Sequence, residues 1–267
     1  MSEYIFIRKS RNALSSLLHI FLNILLGVGS IAVTFLTASW IPGIILVLIS
    51  KWRIFAVRPR FWLLNIKSNL VDLIVGSSFV LIAYCSGTEL LPVHIILAGL
   101  YTLWLIILKP LSTEAATQIQ SLVAVFLGTT AATLMSASAD SIFLASACFI
   151  IGYGASRHVL VQSSEGKEDF TVITLACGLI SAEIAWLCHG WLIVYMFNGG
   201  WVGNTGIIIP QLSIIITLLA FLFGHTYKAI VKRDGKLKAS DILMPAIFSL
   251  LIIAIVVIWF SKPIFDV

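Results

Sequence analysis

Long apolar runs broken by short, mostly basic segments dominate this chain. A run of roughly 18 to 20 apolar residues is what a helix needs to cross about 30 Å of hydrocarbon. The pattern predicts helical spans at 13–34, 37–50, 68–86, 91–108, 114–135, 141–157, 170–197, 206–227 and 241–261. Residues 13–50 are almost continuously apolar, so they fold either as a tight hairpin of two spans or as one span plus a half-inserted segment. Pro42 and Gly43 suit either arrangement. The fold class expected is all-α: a polytopic transmembrane bundle of eight to nine spans.

Composition agrees with the pattern. The chain of 267 residues is 60% hydrophobic and only 11% charged, against about 25% charged in an ordinary soluble domain. No soluble core of this length buries so much apolar surface, and no soluble domain, low-complexity linker or internal repeat is visible. Residues 1–267 are read as one integral membrane domain.

Charge changes the picture more than composition does. A net charge of +5 in a soluble protein would suggest nucleic acid. In a membrane protein it reflects Lys and Arg held in cytoplasmic loops. With nine spans and a cytoplasmic N-terminus, 16 of the 17 basic residues fall on the inner side and only Lys262 on the outer. The expected partners are therefore the lipid bilayer and its anionic headgroups, with no nucleic acid and with room for a homo-oligomer or a membrane complex. The expected location is the plasma or cytoplasmic membrane.

The segment 51–67 is the most basic of these loops. Lys51, Arg53, Arg58, Arg60 and Lys67 alternate with Trp52, Phe55, Phe61 and Trp62. Aromatic rings sit at headgroup depth while long basic side chains reach phosphates, so this loop is expected to anchor on headgroups. Pro59 excludes one continuous amphipathic helix.

Targeting and redox signals add little. The basic start and first apolar run lack a small-residue cleavage site, so an uncleaved first span is expected. Cys85, Cys148, Cys177 and Cys188 show no metal-like or redox spacing and are expected as free thiols. No metal or cofactor is indicated, and position 2 and the C-terminus carry no lipidation box.

Polar groups inside apolar spans are where a function would reside, because each is costly in hydrocarbon. Glu183 is the acidic residue placed near the middle of a span, with His189 six positions later and on a different face. It is the first candidate for coupling to a proton or cation, with Gln118, Gln120 and His189 as possible partners. Gln118 and Gln120 cannot share a face. Asp72, Glu114, Arg157 and His158 gather near the expected inner boundary, as a structural ion pair or an inner-face polar cluster.

Small residues predict packing. Gly128, Ala132 and Ser136 form one stripe and Cys148, Gly152 and Ser156 another, which favours close association of the spans at 114–135 and 141–157. IGYG at 151–154 lacks the context of a potassium filter. No HExxH, GxSxG, phosphate loop or paired intramembrane aspartate is present.

The stretch LYTLWLIILKPLSTEAATQIQSLVAVFLGTTAATL, residues 100–134, resembles the membrane core of fusaric-acid-resistance-type, aromatic-acid-exporter proteins. Trp104, Pro110, Gly128 and Thr129 fit that pattern, while Val125 stands where the family has Arg. The resemblance covers about an eighth of the chain and implies transport. Three function classes follow: a transporter or carrier for a small solute; a non-enzymatic scaffold or assembly subunit; and an inner-face lipid-processing enzyme. The first leads.

Overall fold

The computed structural model describes residues 2–87, 91–163, 170–190, 193–197, 207–232 and 238–259. The elements in chain order are α1 (Ser2–Thr37), α2 (Trp40–Ser50), α3 (Trp62–Ser68), α4 (Leu70–Cys85), α5 (Leu91–Leu103), α6 (Glu114–Met135), α7 (Ser141–Ser163), α8 (Thr171–His189), β1 (Val194–Phe197), β2 (Ile207–Pro210), α9 (Gln211–Lys232) and α10 (Ala239–Trp259). A π-helical turn, Trp104–Leu108, prolongs α5. Seven helices are long and apolar enough to cross a membrane, or eight if the bent pair Pro59–Ser68 and Leu70–Cys85 counts as one span.

Two departures from the sequence pattern matter for function. The apolar stretch 37–50 forms only the 11-residue α2, about 16 Å long at 1.5 Å per residue, so it returns from α1 as a half-length helix. Ala38 makes the turn with φ of 47°, and Ser39 caps α2 through the Ile41 N–H. Gly43 lets the hairpin close, because a Cβ there would lie 2.7 Å from Val80 and 3.1 Å from the Ser30 carbonyl. The second departure is at 170–197. The helix stops at His189, and 194–197 pairs antiparallel with 207–210 instead. Among the described residues the regular structure is thus helical apart from one two-stranded ribbon, which precedes α9 directly.

Helices consecutive in the chain alternate in direction, so α4 and α6 lie parallel. Gly27 of α1 faces Thr102 of α5, and Phe35 stacks edge-on against His94, so these two run antiparallel. Ile74 of α4 packs on Gly128 of α6 while Cys85 meets Met135, so these two run parallel. Ser121 of α6 donates to the Ala155 carbonyl of α7 at 3.0 Å, and Thr130 donates to Ser213 of α9 at 3.0 Å. This arrangement collects the described basic residues at one end, called here the basic end. Lys167, Arg233, Lys236 and Lys262 lie outside the described residues.

The small-residue stripes divide their work. Gly128 does admit Ile151 of α7, as the sequence predicts. The Gly152 stripe, however, faces α8, where a Cβ would lie 3.0 Å from the Cys177 carbonyl. The most extensive helix pairing in the fold is α7 with α8. All four cysteines are free.

Candidate functional site

Three helix ends converge inside the bundle. Lys51 caps the C-terminus of α2, Lys109 caps the π turn after α5, and Asp72 occupies the first turn of α4. A cation at a helix C-terminus and an anion at an N-terminus both suit the helix macrodipole. Both ammonium groups meet the same oxygen, Asp72 Oδ2, with Lys109 Nζ at 2.8 Å. The other oxygen, Oδ1, accepts the Trp104 indole N–H at 3.3 Å. Lys51 is 8% exposed and Lys109 38% exposed. Burial pulls the Lys51 ammonium down from its ordinary value to about 8, and the Asp72 charge opposes that pull.

Lys51 and Asp72 of this triad are buried. Ile74, half a turn beyond Asp72, packs against Gly128 and Gly154, near the middles of α6 and α7. The reason is the chain break at Asn69, where the path bends by 68° between the 59–68 segment and α4. Asp72 therefore lies in the first turn of α4, near the end of its span as expected, with its carboxylate buried in an ion pair. Lys51 is expected among the headgroup anchors; instead it is buried on Asp72. Arg53, Arg58, Arg60 and Lys67 remain exposed, beside exposed Trp52, Phe55, Phe61 and Trp62.

The other polar candidates fall into separate sets. Gln120 is buried and donates to the carbonyls of Leu108 at 2.6 Å and Leu111 at 2.9 Å, satisfying the end of the α5 segment. Its Oε1 meets His158 Nε2 at 2.8 Å. Glu114 pairs with Lys228 at 2.9 Å. Asp72, Glu114 and His158 thus have different partners, and with half-buried Arg157 they do not form one cluster. Gln118 lines a cavity of about 270 Å³ with Ser121 and His225. His189 meets the Ala139 carbonyl at 3.1 Å, joining the end of α8 to the turn before α7. Glu183 lies on the exposed face of α8. It is six residues, about 9 Å, from the helix end at His189, because the helix is shorter than the apolar run. None of Gln118, Gln120 or His189 is brought to it.

Beside the triad, a lateral crevice of about 850 Å³ opens between α5 and α6. Although α5 and α6 are consecutive, α5 packs on α1 and α4 while α6 packs on α4, α7 and α9. The two therefore splay apart over a floor of Phe79 and Ile82 from α4. Leu100 and Trp104 form one wall, Phe126 and Leu127 the other, and Ile208 and Ile209 of β2 close the end away from the basic face. At the basic end, the same Trp104 that lines the crevice is the indole bonded to Asp72. Sequence reasoning missed both Trp104 and Lys109 as members of this site. The available signal was an acidic residue three positions into the apolar 70–85 run.

The chain matches no protein-family model, no curated protein and no solved structure.

Proposed function

We propose that this chain is a membrane carrier for a small molecule with an apolar body that enters sideways from the lipid phase. The observation supporting this is the α5–α6 crevice, whose volume falls within the roughly 300 to 1,000 Å³ typical of ligand sites. Its lining is almost wholly apolar, with the Asp72 triad behind one wall. Short and broken apolar helices, such as α2 and the bent pair 59–68 and α4, are a common setting of carrier sites in membranes. The stretch that resembles exporter membrane cores, 100–134, supplies most of the lining.

A photoactivatable alkyl diazirine delivered from the bilayer tests the reading. Peptide mapping is expected to find labelling concentrated on the 100–108 and 122–134 segments. Leu100→Trp, at the exposed rim, is expected to reduce that labelling severalfold without changing thermal unfolding. Uniform labelling of every lipid-facing helix would defeat the proposal.

In this reading the basic end faces the cytoplasm, with α2 as a short returning helix and the 51–68 segment lying among anionic headgroups. Cysteine probes at residues 165, 200 and 235 in intact cells are expected to react with an impermeant reagent only at 200. A reactive 235 beside a silent 200 reverses the orientation.

A further inference from the structure

The α5–α6 crevice opens to lipid along one side and is closed by Ile208 and Ile209 of β2 at the end away from the basic face. At the basic end its wall is Trp104, Ile107 and Leu108, part of the segment that joins α5 to α6. Here the helix is irregular. The Lys109 N–H donates to the Trp104 carbonyl at 2.8 Å, five residues back rather than four, and Pro110 has no N–H to donate. A π turn interrupts the helical ladder, and such turns recur at functional positions. Trp104 and Leu105 are buried at its start, whereas Ile107 is 56% and Leu111 44% exposed. Packing therefore fixes the root of the segment and leaves its far part to polar contacts.

Those contacts come from other helices. Asp72 of α4 takes the Lys109 ammonium at 2.8 Å. Gln120 of α6 donates to the Leu108 carbonyl at 2.6 Å and to the Leu111 carbonyl at 2.9 Å. With its amide N–H groups on carbonyls, Gln120 turns Oε1 to His158 Nε2 of α7 at 2.8 Å. A carboxamide oxygen only accepts, so His158 donates and holds the Gln120 amide in the orientation that reaches the segment. Polar contacts at such an end exchange with water for little net free energy, so their release frees the segment while α5 stays packed on α1 and α4.

We infer that residues 106–111 form a gate at the basic end of the crevice, hinged at the π turn and closed by two latches: Gln120 on the Leu108 and Leu111 carbonyls, and Asp72 on Lys109. The inference rests on the carrier reading for its use, since a ligand that enters sideways from lipid needs a second way out. With both latches released, the segment swings from α6 and joins the crevice to the aqueous phase at the basic end. His158 is a positioning residue in this device, acting on the gate through Gln120.

Access of a water-soluble, membrane-impermeant thiosulfonate to the crevice interior tests it. The reporter is Leu127→Cys, on the α6 wall, in a background with the four native cysteines replaced by alanine and in lipid nanodiscs that leave both faces wet. Gln120→Leu and Lys109→Met are each expected to raise the modification rate about tenfold, the scale of one or two hydrogen bonds, and the double variant more than either. Gln118→Leu, two residues away and lining the cavity beside His225, is expected to leave the rate unchanged. Lys109→Met leaves Asp72 paired with Lys51, so it carries the test alone if Gln120→Leu does not fold. An unchanged rate in Lys109→Met with unaltered thermal unfolding, or an equal rise in Gln118→Leu, would overturn the gate. Diazirine labelling of the same samples reports the carrier reading separately: labelling still concentrated on 100–108 and 122–134 beside unchanged thiol access defeats the gate alone.

Discussion

Replacing Asp72 with Ala is expected to cost about 3 to 5 kcal/mol of stability, the penalty for leaving buried charge without its partner. Among the described residues, Asp72 is the carboxylate that faces two ammonium groups, and Lys51 is only 8% exposed beside it. Trp104 loses its acceptor at the same time. The three helix ends that the triad joins, of α2, α4 and the π turn, then repel instead of holding together. Against a total stability of 5 to 15 kcal/mol for a typical domain, the loss is severe. The midpoint of thermal unfolding in detergent is expected to fall on the order of 10 °C. Removing a cation as well tests the cause: Lys51→Met added to Asp72→Ala is expected to recover part of the loss. An unchanged midpoint in Asp72→Ala, or no recovery in the double variant, would show that the triad does not hold these ends.

Gly152→Leu is expected to separate α7 from α8. A Cβ at 152 lies 2.8 Å from Ser181 Cβ and 3.0 Å from the Cys177 carbonyl oxygen. The second of these is backbone, so relief requires one helix to move away from the other. Overpacking of a tight contact typically costs about 1 to 3 kcal/mol, and the larger side chain is expected to exceed what Gly152→Ala produces. Gly99 on α5 is the control, because a Cβ there meets nothing within 4 Å. Gly99→Ala is expected to be neutral or to stabilise by up to about 1 kcal/mol, the helix-propensity gain. Chemical denaturation of the three variants gives the comparison. Equal behaviour of Gly152→Ala and Gly99→Ala would remove the close contact as an explanation.

The amino-acid sequence alone determined that this protein is built of long apolar helices. Hydrocarbon leaves the backbone few options, so a run such as 114–135 has to be a helix wherever it sits. Charge asymmetry then orders the ends, because Lys and Arg are costly anywhere else. The small-residue stripes on 114–135 and 141–157 were legible for the same reason: close approach needs Gly, Ala or Ser regardless of partner. What the stripes could not reveal was which helix each one faces. Gly152 was expected against α6 and is against α8, since periodicity fixes a face but not its neighbour.

Burial was decided by tertiary structure alone. Apolar length placed Asp72 at a boundary and Glu183 near a midplane. After the 68° bend at Asn69, Asp72 is buried in the first turn of α4, and Glu183, within a turn of the centre of α8, lies on its exposed face. The stretch 191–197 is as apolar as a span, yet residues 194–197 gain more by pairing with 207–210 than by prolonging the helix. Lys51 read as a headgroup anchor because its neighbours are. Only the meeting of three helix termini explains why its ammonium is buried on a carboxylate 21 positions away. The crevice has no sequence signature at all: it exists because α5 chose α1 and α4 as neighbours and left α6 uncovered. Local pattern governs what each residue tolerates; assembly of the helices governs what each residue meets.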